Sequence, residues 1–216
     1  MLSTADSAAI EERLRGVERR TGAQVVVAVA PRSDRFHGLR WRAFALGASV
    51  SALATVLADI VRPDWVTAYT AIVTAAAILG TAIACAALAT VWPAFARLFL
   101  GYARAEAAVH QRALALFVER ECFATPRRNA VLMLAGRYER AMAVIGDSAY
   151  RGRIDASGWQ RVVDATTAGL ARGDARAAFI AGLDALEALL VAHGFTAATD
   201  ARDDLPDAPL EIGDPA

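Results

Sequence analysis

Gln24-Val25-Val26-Val27-Ala28-Val29-Ala30 decides the fold of this 216-residue chain. The run is uncharged and rich in valine. Branching at Cβ restricts rotamers on a helix and packs well on a pleated surface, so the segment favours a strand. Apolar side chains stand at every position after Gln24, not at alternate ones. That pattern predicts a strand buried on both faces, the kind found in parallel sheets, and a parallel neighbour requires a long crossover connection.

The rest of the soluble sequence supplies the partners. Ser3 or Thr4 can cap a helix that puts Ile10, Leu14 and Val17 on one face, with Gly22 as its stop. Residues 102–121 read as a helix with Val109, Ala113, Leu116 and Phe117 inward. Residues 129–135 and 141–145 read as two strands joined as a hairpin through the segment from Gly136 to Arg140. Helices follow over 157–171 and 174–193, separated by Gly173, and the Asp-, Ala- and Pro-rich tail over 196–216 reads as irregular. This order predicts an α/β fold, an αβα sandwich with a small mixed sheet.

The crossover after the first strand is unusual. It contains two apolar stretches, 43–58 and 66–96, and an α-helix needs about 20 apolar residues to cross a hydrocarbon core. Phe44, Leu46, Val50, Leu53, Val56, Leu57, Ile60 and Val61 together contribute roughly −2 to −5 kcal/mol of insertion free energy, so the first span is marginal alone. The second, with Ile72, Val73, Ile78, Leu79, Ile83, Leu88 and Val91, inserts readily and assists it. Spans over 43–61 and 66–92 are expected. Gly47 with Ser51 and Gly80 with Ala84 stand at the four-residue spacing that lets helix backbones approach. The expected organisation is a discontinuous α/β domain, 1–42 plus 97–195, interrupted by a transmembrane hairpin over 43–96.

Arginines orient the hairpin. Arg32, Arg35, Arg40 and Arg42 precede it and Arg97, Arg104 and Arg112 follow it, against Arg62 in the turn. The positive-inside rule places both flanks and both termini in the cytoplasm, with a two-span protein in the cytoplasmic (inner) membrane. Trp41, Trp65, Tyr69 and Trp92 fall at span ends, where interfacial aromatics belong. The lipid bilayer is thus the first partner, and Arg35, Arg40, Arg42, Arg97 and Arg104 are placed to meet anionic headgroups.

Charge and motifs exclude several functions. The 23 basic residues balance 23 acidic ones, so nothing suggests nucleic acid. Every basic residue is Arg, which removes Schiff-base and P-loop lysine chemistry. His37, His110 and His193 are dispersed, and Cys85 and Cys122 are lone thiols. No Gly-x-Gly-x-x-Gly, Walker loop or Gly-x-Ser-x-Gly elbow occurs.

The chain resembles the TPM domain family. The resemblance rests on the stretch from Arg20-Thr21-Gly22-Ala23-Gln24 through Ala30, on Thr125 to Met133, on Ala141 to Asp147, on Trp159, and on Asp203-Asp204-Leu205-Pro206-Asp207. It is closest to bacterial members with an internal transmembrane pair. It implies an αβα sandwich and, from some members, acid phosphatase activity or calcium binding. From the residues themselves, Ser33 and Asp34 after the first strand and Asp147 after the third stand at carboxyl ends of strands, where α/β sheets bind ligands. Two carboxylates and a hydroxyl suit a hard cation such as calcium or magnesium if the fold brings them together. The other reading is that Ser33 or Asp34 caps a helix and Asp147 shapes a turn. Two functions follow: a non-enzymatic interaction or assembly module with a membrane-protein partner, or a divalent-cation-dependent phosphatase-like hydrolase using Asp34 and Asp147. The lack of a nucleophile, His or Lys constellation favours the first.

Overall fold

The computed structural model describes residues 3–31, 38–61, 68–99, 101–197 and 208–212. In chain order these form α1 (Thr4–Thr21), β1 (Gln24–Ala30), α2 (Gly38–Val61), α3 (Ala68–Val91), α4 (Pro93–Arg97), α5 (Tyr102–Glu119), β2 (Ala130–Gly136), β3 (Ala141–Gly146), α6 (Ala156–Ala171), α7 (Ala175–Ala192) and β4 (Leu210–Glu211). The fold is mixed α/β. Ser3 caps α1 by accepting from the Asp6 N–H at 3.1 Å while its own N–H donates to Asp6 Oδ2 at 3.2 Å, a reciprocal capping box. Gly22 ends the helix at φ 69°, a left-handed conformation that only glycine adopts without strain.

The sheet runs β3-β2-β1-β4. β1 lies parallel to β2, from Gln24 opposite Ala130 to Ala30 opposite Gly136, and β3 returns antiparallel along β2. Every residue of β1 and β2 is buried. Val25, Val27 and Val29 join Val131, Met133 and Met142 in a core completed by Ile10, Leu14 and Val17 of α1 and by side chains of α6 and α7 such as Val162, Phe179 and Leu186. Val26, Ala28, Leu132 and Leu134 point the other way and are equally buried. α5 presents a buried stripe of Ala105, Val109, Ala113, Leu116 and Phe117, none of it part of the first core. Each buried valine contributes about 1.5–3 kcal/mol of transfer free energy, so the parallel pair is the densest source of stability in the sheet.

The residues divide into two compact units, one of α1, α5, α6, α7 and the four strands, the other of α2, α3 and α4. In the second unit, α2 and α3 are long and apolar enough to cross a membrane, and few of their residues are buried. Leu53, Ile60, Ile72 and Ile83 are 60–71% exposed, so these helices do not sit in a protein core among the described residues. They pair through small residues. A Cβ at Gly47 would lie 2.9 Å from Cys85 Sγ and 3.0 Å from the Ala82 Cα, whereas a Cβ at Gly80 would meet nothing within 4 Å. On α3 it is Ala82 and Cys85, not Gly80, that meet Gly47.

Two other expectations change. α3 ends at Val91 and a short helix restarts at Pro93 after Trp92, because proline lacks an N–H and favours a first helical turn. The tail is not wholly irregular. β4 pairs Leu210 and Glu211 with Ala28 and Val29 of β1, and it covers an edge that would otherwise be open.

The helices on the core face are tied by close packing and charge. A Cβ at Gly169 would fall 2.5 Å from the Ala178 Cα, so Gly169→Ala forces α6 from α7 and costs about 1–3 kcal/mol. The expected result in detergent is a melting temperature several degrees lower, with Gly80→Ala unchanged.

Glu187 of α7 faces Arg13 and Arg20 of α1, at 2.6 and 2.7 Å. Burial pushes its carboxyl up, but the two guanidinium groups outweigh burial and hold it below the ordinary value of 4.5. A carboxyl lowered on folding stabilises the fold above its ordinary value, and that contribution is lost as pH falls through the lowered one. Urea titrations should show a loss of stability below about pH 4.5 that is smaller in Glu187→Gln.

Candidate functional site

Ser33, Asp34 and Arg35 lie outside the described residues, as does the side chain of Arg97. The strands that were to present the two carboxylates can still be placed. β1 ends at Ala30, level with Gly136 and Ala141. β3 runs the opposite way, so Asp147 follows Gly146 at the other end of the sheet, where its N–H donates to the Ala130 carbonyl. Six residues of strand, about 20 Å, separate these levels. A shared cation site required the fold to bring the two carboxylates together, and the antiparallel β3 of the hairpin puts Asp147 at the opposite end of the sheet from the end of β1.

Asp147 is 4% exposed in its side chain and fully engaged. Its Oδ2 accepts from Arg128 Nε at 2.9 Å, and its Oδ1 accepts from Arg128 Nη2 at 3.0 Å and from the Ser148 N–H at 2.6 Å. Arg128 takes a left-handed φ of 52°, and its guanidinium forms a two-pronged fork on the carboxylate. A cation already stands where a metal would bind, so Asp147 does not fit the calcium or magnesium ligand set. Beside it, Tyr150 donates to the Asn129 carbonyl at 2.6 Å. Burial first, and the Asp147 charge second, push its hydroxyl far up, so it stays a neutral donor. Trp159 packs edge-on to Tyr150 at 5.7 Å. Asp147 thus builds a corner in which it caps the 3₁₀ turn Ser148–Tyr150. Burial raises the Cys122 thiol as well, which disfavours a nucleophilic thiolate.

Among the described residues no three His, Cys, Asp or Glu side chains converge to hold a metal. Two clefts remain. One, about 340 Å³, lies at the carboxyl end of β1 and gathers Arg137, Arg172 and Arg176 beside Asp6 and Asp174. Ser3 hydrogen bonds, and secondarily Arg176, hold the Asp6 carboxyl below its usual range, and Asp174 Oδ1 accepts from the Ala177 N–H at 2.9 Å as the cap of α7. Arg137 comes from the β2–β3 turn, Arg172 from the α6–α7 turn and Arg176 from the first turn of α7, and Arg137 is too far from the other two in sequence to be read with them. The larger cleft, about 640 Å³, runs along Met142–Gly146 of β3 between Glu106 and His110 of α5 and Trp159, Gln160 and Val163 of α6. No motif announces it, because it depends on which strand lies at the edge.

Of the arginines expected at the headgroups, Arg40, Arg42 and Arg104 are exposed. Arg42 donates to the Phe99 carbonyl at 2.9 Å, joining the start of α2 to the segment after α4.

No family model matches the chain, and no curated protein matches it. An NMR structure of the BA42 protein from the psychrophilic bacterium Bizionia argentinensis is similar in fold, with a TM-score of 0.58 at 13% identity over 98% of this chain and 96% of that one. At that identity the similarity concerns the fold alone.

The Asp147 corner yields a direct expectation. Asp147→Ala leaves Arg128 without its partner and the turn without its cap, and costs about 1–2 kcal/mol. Urea denaturation should register that loss, and Arg128→Ala should add little in the double variant because the two act as one unit.

Proposed function

We propose that this chain is a membrane-anchored TPM-like domain, an αβα sandwich that binds a protein partner at the cytoplasmic face of the membrane and does not catalyse a reaction. One observation carries the reading: two exposed apolar helices, each 24 residues long, interrupt the crossover between adjacent parallel strands. An exposed apolar surface of that extent has a large free-energy cost in water and is favourable in lipid. The excess of arginine on the flanks supports cytoplasmic termini, with Arg40, Arg42 and Arg104 among the groups that meet anionic headgroups.

The interaction role draws on the chemistry of the described surfaces. The Asp147 carboxylate serves Arg128 and a turn, and the larger cleft has residues 142–146 of the edge strand β3 as its floor. Such a floor recognises polypeptide better than it performs phosphoryl transfer, which needs concentrated electrostatic stabilisation.

A reporter fused at Ala216 should behave as cytoplasmic, and periplasmic behaviour would overturn the topology. Purified full-length protein should show no turnover of a generic phosphomonoester with calcium or magnesium. Metal-dependent turnover that disappears in Asp34→Asn or Asp147→Asn would replace the interaction role with the hydrolase.

A further inference from the structure

We infer that the outer edge of β3 is a strand-addition site for one extended segment of a partner polypeptide, in which apolar side chains alternate with basic ones. The inference rests on the interaction reading above and gives it a location.

Register identifies the open groups. The Asp147 N–H donates to the Ala130 carbonyl, and in an antiparallel ladder the residues whose N–H and C=O face the neighbour alternate with those facing away. Ala141, Ala143 and Ile145 therefore face β2, and Met142, Val144 and Gly146 turn their N–H and C=O outward. Among the described residues these groups have no recorded partner. Met142 is only 4% exposed, and main-chain groups in so dry a place need hydrogen-bond partners. The strand also lacks the usual protections of an edge: Ala141–Gly146 contains no charge and no proline.

Three occupants can be compared. Of the chain's own C-terminal region, the described residues 208–212 lie at the opposite edge, where β4 pairs with β1 and the Ile212 N–H donates to the Val29 carbonyl. A second copy would approach edge to edge. It would have to bring its own α5 and α6 up to the α5 and α6 residues that line the cleft beside β3. A single extended segment brings no helices with it.

The walls define its side chains. The added strand runs antiparallel to β3, so its residues that bond to Met142, Val144 and Gly146 point to the same face as those side chains, toward Trp159 and Val163, and so are apolar. The intervening residues point with Ala143 and Ile145 toward Glu106 of α5, and a basic side chain complements that carboxylate.

The test uses the full chain in nanodiscs and a synthetic acetyl-Val-Arg-Val-Arg-Val-Arg-amide peptide. Hydrogen exchange should slow about tenfold or more at Met142, Val144 and Gly146 on saturation with the peptide. The analogue N-methylated at its valines, which keeps the side chains but loses the edge-facing donors, should have no effect. Val144→Pro removes an outward N–H without breaking the ladder to β2 and should abolish the protection, with near-ultraviolet circular dichroism confirming the fold. Lack of binding up to about 1 mM, a range that includes weak complexes, would overturn the inference. Equal binding by the N-methylated peptide would do the same, as would slow exchange at these amides without peptide in a dimeric sample. Phosphomonoester turnover, measured on the same preparation, would instead overturn the interaction reading and leave the peptide result standing.

Discussion

The parallel pairing of β1 with β2 is the constraint on which the rest of the structure depends. Parallel neighbours cannot be joined by a tight turn, so the chain must leave the sheet after Ala30 and return before Ala130. Everything between is a crossover, and this one carries α2, α3 and α4. The hairpin is therefore held at both ends by one sheet and is not a tether attached to one terminus. The burial of both strands on both faces makes the pairing strong enough to close so long a loop, because loop-closure entropy grows only slowly with length.

The same pairing fixes what each end of the sheet can do. Because β3 alone is antiparallel among the strands that flank β2, the carboxyl ends of β1 and β2 lie together and the end of β3 lies opposite. The first end collects Arg137, Arg172 and Arg176, and the second collects Arg128, Asp147 and Tyr150. Strand order then decides the edges: β4 closes one, and β3 remains on the other between α5 and α6.

The elements were legible in the sequence where local chemistry sets them. Ser3 and Gly22 bracket α1, the valines of Gln24–Ala30 give β1, and Gly173 separates α6 from α7. The apolar spans were equally plain. What needed the structure was partnership. The short turn between 129–135 and 141–145 marks a hairpin, but only the parallel pairing of β2 with β1 puts Asp147 at the opposite end of the sheet from Ala30. Leu210 and Glu211 form a strand only because β1 offers an edge, since two residues carry no periodicity of their own. Gly47 and Gly80 have the same composition around them, and only the packing of α2 on α3 shows that Gly47 is the contact. The fork of Arg128 on Asp147 joins residues on either side of the β2–β3 hairpin, and nothing in their spacing marks it.

The central claim is that β1 and β2 form one cooperative unit across the inserted helices α2 and α3. Native-state hydrogen exchange of the full chain in nanodiscs tests it directly, because amides that open together share one opening free energy. The account predicts a common value for the amides of Val25–Val29 and Val131–Ala135, lowered equally in both strands by Leu132→Ala. Rapid exchange throughout β1 while the β2–β3 hairpin stays protected would contradict it.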